Sequence, residues 1–135
     1  MTEARRILGR HEQHDRGWLI SWLKSDGRTL GDPSQLPWCG DFVETCIRIG
    51  LPAEPFPDPL GQNPYWARNW ATFSVPSAPT YGAVLAFERG SGGHVGFCVG
   101  ADDSAFAVLG GNQSDAVTIA HIAKGGFKLQ VQRLM

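Results

Sequence analysis

The sequence predicts an α+β domain, with helices in its first half packed on an antiparallel sheet of about five strands in its second. Three observations predict it. Apolar residues recur at helical spacing as far as Ile49, five short apolar or alternating runs follow Gly82, and a proline-rich crossing separates the two halves.

Each element has its own signal. Leu8 and the cluster Trp18, Leu19, Trp22 and Leu23 repeat at i, i+3 and i+4, which predicts an amphipathic helix ending near Asp26-Gly27. His11 and His14 fall on its charged approach, read here as helical. Residues 28–37 form a loop broken by Gly31, Asp32, Pro33 and Ser34. Phe42, Val43, Cys46 and Ile49 then lie on one stripe of a helix that starts at Cys39 and stops at Gly50, with Pro52 just beyond. The run LPAEPFPDPLGQNP holds five of the nine prolines and excludes a helix or an inner strand. Phe56, Tyr65 and Trp66 crowd this run, so it reads as a packed loop rather than a linker. Tyr65, Trp66, Trp70 and Phe73 predict a short aromatic helix or turn. The strands are expected at 83–87, 94–99, 105–109, 116–122 and 127–134, joined as a meander by the turns ERGSGG, GADDS, GGNQSD and AKGG.

Composition bounds the function. A length of 135 residues, 42% hydrophobic and 19% charged, fits one domain spanning 1–135 with a real core. Lys and Arg number 12 against 13 Asp and Glu, so there is no basic excess to serve a nucleic-acid binder. No apolar run approaches the roughly 20 residues that span a bilayer. The first residues carry basic charge but no apolar stretch of the secretory type, so synthesis in the cytoplasm without a signal peptide is expected. Three cysteines in a reducing compartment do not form a closed disulfide set. Their spacing lacks the close pairs of a zinc site, and no metal or cofactor is expected.

One thiol stands out by position. Cys39 lies at the first turn of a helix, where free N–H groups and the helix dipole favour a thiolate. Cys46, two turns further in, and Cys98, inside an apolar strand, read as core packing. The candidate base is His94, which opens a strand between glycines in Ser91-Gly92-Gly93-His94-Val95-Gly96. A Cys–His pair needs a third group to fix the imidazole tautomer. Asn112, at the end of the next strand in Leu109-Gly110-Gly111-Asn112-Gln113, can lie beside it in a hairpin.

These residues carry a family resemblance. Pro37-Trp38-Cys39-Gly40-Asp41-Phe42-Val43, Gly92-Gly93-His94-Val95-Gly96-Phe97 and Leu109-Gly110-Gly111-Asn112-Gln113, in that order, resemble the papain-like cell-wall peptidases and amidases of the NlpC and CHAP type, small phage members above all. The likeness covers roughly residues 15–125. It implies a papain-like fold in which Cys39 is the nucleophile, His94 the general base and then acid, and Asn112 the orienting group. Many CHAP members place a Glu two residues before that Asn, where this chain has Gly110, so the orienting group would be an amide. Asp115 is a substitute only if its turn folds it back.

The implied reaction is hydrolysis of a peptidoglycan amide, in the stem peptide or between the sugar and L-Ala, by an endolysin-like monomer that reaches the wall through other machinery. Trp38, Tyr65 and Trp66 are expected to line the cleft. Asp41 and Gln113 are expected to touch substrate or oxyanion. A non-catalytic peptidoglycan-binding or assembly module of the same fold, and a cysteine acyltransferase, are the alternative readings.

Overall fold

A computed structural model of the protein describes residues 1–29, 31–58, 60–73, 75–76, 79–89, 92–124 and 128–133. Three helices come first: α1 (Thr2–Arg6), α2 (Arg16–Leu23) and α3 (Cys39–Gly50). A 3-10 turn (Ala67–Thr72) follows, then six strands: β1 (Val75–Pro76), β2 (Val84–Arg89), β3 (Gly92–Ala101), β4 (Ala105–Gln113), β5 (Ala116–Ala123) and β6 (Lys128–Arg133). The expected helix–sheet division therefore stands, with the two-residue β1 added.

The sheet order is β1-β6-β2-β3-β4-β5, and every pairing is antiparallel. Its central body is the four-strand run β2 to β5. The sheet departs from a simple meander at its end, because β6 returns to pair with β2 instead of lying beside β5. This leaves β5 at an edge, and the N-terminal segment covers its start. Gly9 donates to the Val117 carbonyl, Val117 to that of Arg10, and Glu12 to that of Asp115. That pairing explains why His11 is not helical: it forms a bridge with Ala116.

Helix α3 is the hub. Its neighbours are β3, β4, α1, α2 and the 3-10 turn. Phe42, Val43, Cys46 and Ile47 join the main core with Leu19, Leu23, Trp70, Val95, Phe97 and Leu109. A smaller cluster of Leu85, Phe87, Cys98, Phe106 and Val108 fills the opposite face of the sheet. The proline-rich run is indeed packed: Leu60 is buried, and Phe56 meets Trp70 and Phe73 edge-on.

Because α3 is surrounded, its polar residues are buried too. The Glu44 side chain is fully enclosed, with Arg48 Nε at 3.1 Å and Arg28 Nε at 3.7 Å. Burial, aided by the nearby Asp26 carboxylate, pushes the Glu44 carboxyl up to about 7 despite Arg48. Between the usual glutamate range and about pH 7, the folded chain thus holds a proton that the unfolded chain has released. Stability contributed here is present at low pH and falls as pH rises through that window. Urea midpoints of the wild type and Glu44→Gln at pH 5 and pH 8 measure it. The variant should lose up to about 3 kcal/mol of the wild type's decline. An identical decline in both proteins would contradict the assignment.

Candidate active site

The nucleophile candidate is set by the start of α3. The loop before it is pinned where Asp32 accepts the Arg16 guanidinium. Thr29 Oγ1 donates to Asp41 Oδ2 at 2.7 Å in the first turn of the helix. Across from Cys39, the backbone of Pro64 and Tyr65 presses on Gly40. A Cβ at position 40 would stand 2.3 Å from the Pro64 carbonyl oxygen, so only glycine permits this approach.

Cys39 itself is 5% exposed. Burial pushes its thiol up, while hydrogen bonds from the backbone of Val95, Gly40 and Cys39 itself favour the thiolate. The expectation of a spontaneous thiolate is therefore corrected. The helix-start N–H groups are in place, but desolvation outweighs them.

Val95 immediately follows His94, so the contact with Val95 brings Cys39 to the strand that carries the candidate base. The His94 imidazole is held from two directions. Its cross-strand partner Phe87 stacks on it at 6.4 Å between ring centroids and 25° between planes. Its Nε2 lies 2.8 Å from Gln113 Oε1.

That last contact brings Gln113, expected at the substrate, to the imidazole, whereas the hydrogen bonds described for the ring do not include Asn112. The cause is local backbone. The β4–β5 pairing is irregular between Gly110 and Gln113, and Asn112 sits at φ 59, in the left-handed region that Asn tolerates. The extra residue turns Gln113 inward. Ser114 and Asp115, at φ 53 and 63, complete a two-residue hairpin turn. This leaves Asp115 exposed at the tip.

The cleft residues divide. Trp38 is 1% exposed and Asp41 fully buried, so neither lines a cleft; the packing around α3 encloses both. The Trp38 Nε1–H donates to Glu12 at 3.1 Å. Tyr65 is half-buried, with Arg28 Nε 3.3 Å from its hydroxyl. Trp66 is 47% exposed, next to the backbone that covers Gly40, with Arg68 over its ring at 5.7 Å. Arg68 also packs beside Gly93, and so borders both the wall beside Cys39 and the strand that carries His94. Sequence reasoning passed over this arginine, which has no glycine or cysteine signal beside it.

No helix among the described residues is long and apolar enough to cross a membrane. No curated protein and no solved structure matches the chain. A family model, that of the CHAP domain, matches residues 31–112, more than half of the chain and the stretch that holds Cys39 and His94. The α+β architecture agrees with that match, and the chain belongs to the CHAP domain family.

Proposed function

We propose that the protein hydrolyses an amide bond of peptidoglycan by nucleophilic catalysis, with Cys39 as nucleophile and His94 as base. Membership of a family of peptidoglycan hydrolases and amidases supports the substrate. The observation that carries the chemistry is Cys39 Sγ at the start of α3, hydrogen-bonded by the N–H of the residue after His94.

The steps balance as acyl transfer. His94 takes the thiol proton as Cys39 Sγ attacks the amide carbonyl, and the Cys39 backbone N–H faces the developing oxyanion. The C–N bond breaks as the imidazolium returns its proton to the leaving amine. Water, giving a proton to the same imidazole, then attacks the thioester and releases a carboxylic acid. Trp66 offers an exposed apolar platform beside the nucleophile, and Tyr65 supports it. With net charge near zero, recognition rests on this cleft rather than on attraction to an anionic wall.

Mass spectrometry of muropeptides after incubation with purified peptidoglycan tests the proposal. The expected result is one new amine and one new carboxylate from a single cut amide, either within the stem peptide or at the sugar–L-Ala junction. Retention on insoluble peptidoglycan without any product would instead favour the binding-module reading.

A further inference from the structure

We infer that Gln113 is the positioning residue of His94, fixing the imidazole with Nε2 protonated and Nδ1 as the basic atom. The inference rests on the proposed Cys39–His94 chemistry for its catalytic meaning, but its structural content is measurable without substrate.

The amide's orientation follows from its neighbours. Gln113 Nε2 lies 3.1 Å from the Val108 carbonyl, 2.9 Å from the Thr118 carbonyl and 3.2 Å from Thr118 Oγ1. Carbonyl oxygens only accept, so the NH2 end must face them and Oε1 must face His94. Oε1 in turn only accepts. The imidazole nitrogen 2.8 Å from it therefore carries the hydrogen, and the neutral ring keeps its lone pair on Nδ1. Gln113 is 8% exposed, and both ends of its amide are used, as a buried polar group requires.

The space for this arrangement comes from Gly110. A Cβ there would stand 2.8 Å from Gln113 Oε1 and 3.4 Å from His94 Nε2. A side chain at position 110 would push the Gln113 amide from this position, so glycine at 110 leaves the room that glutamine at 113 uses. Asn112 contributes through its backbone: its left-handed φ sets the bulge that turns Gln113 inward. A neutral amide orients the ring while giving the imidazolium less support than a carboxylate would.

The test combines 15N NMR of the His94 ring at pH 8 with hydrolysis kinetics for wild type, Gln113→Met and Asn112→Gly. Methionine matches glutamine in length and has no strong acceptor. Glycine keeps the left-handed backbone and removes the Asn112 side chain. We expect wild type and Asn112→Gly to show the Nε2–H tautomer and activities within about twofold of each other. Gln113→Met should show mixed tautomers and a kcat lowered at least about tenfold with KM little changed, a part of the ~10²–10⁴ that a positioned acid–base group supplies. A wild-type ring protonated at Nδ1 overturns the inference without any variant. So does a Gln113→Met protein with wild-type tautomer or kcat, or an Asn112→Gly protein as impaired as Gln113→Met. If no protein hydrolyses peptidoglycan, the reaction reading fails, while the tautomer still decides the role of Gln113.

Discussion

Replacing His94 with alanine is expected to lower amide hydrolysis near neutral pH by ~10²–10⁴-fold, the range lost with a positioned acid–base group. The effect is large because of where Cys39 lies. Its thiol is buried, and desolvation holds it above the usual cysteine range despite three backbone hydrogen bonds. On the proposed mechanism, removing His94 therefore removes the group that takes the thiol proton. The deficit should shrink as pH rises and the thiol ionises directly, whereas the leaving amine still lacks its proton donor. Initial rates of amine release from pH 6 to 10 check both statements. A variant within tenfold of wild type at pH 7 would remove His94 from the mechanism.

The second large effect concerns packing directly behind the site. A Cβ on Gly111 would stand 2.7 Å from the Phe42 Cβ and from Trp38 Cζ3, and 2.8 Å from Trp38 Cε3. These atoms belong to the buried face of α3 and to the residue just before Cys39, so they have little room to retreat. Gly111→Ala should cost about 1–3 kcal/mol through overpacking. It should also slow hydrolysis, because displacing Trp38 moves Cys39, the proposed nucleophile, attached to it. Gly17, in α2 with open space around it, supplies the control: Gly17→Ala should gain up to about 1 kcal/mol of helix stability. Equal urea midpoints for the two variants would contradict the packing argument.

Much of this was legible in the residues. The glycine and proline stops around 39–50 mark α3 within a residue, and the alternating runs after Gly82 mark β2 to β6. These are local signals: a period, a breaker, a turn. What escaped depends on distant or irregular structure. The return of β6 to β2 is a long-range pairing with no local mark. Burial of Trp38, Asp41 and Glu44 follows from α3 being covered on every side, which a one-sided apolar stripe does not announce. The contact of Gln113 with His94 escaped for a finer reason. Strand alternation assigns each residue a face, and the bulge between Gly110 and Gln113 shifts that count by one. Asn112 therefore takes the left-handed backbone, and the Gln113 side chain meets the imidazole.

The central claim is that Cys39 carries the reaction, and the release of muropeptide amines by wild type and Cys39→Ala, compared side by side at equal protein concentration, tests it most directly. The account predicts product from the wild type and none above background from a folded Cys39→Ala protein. Hydrolysis at the wild-type rate by Cys39→Ala would contradict it.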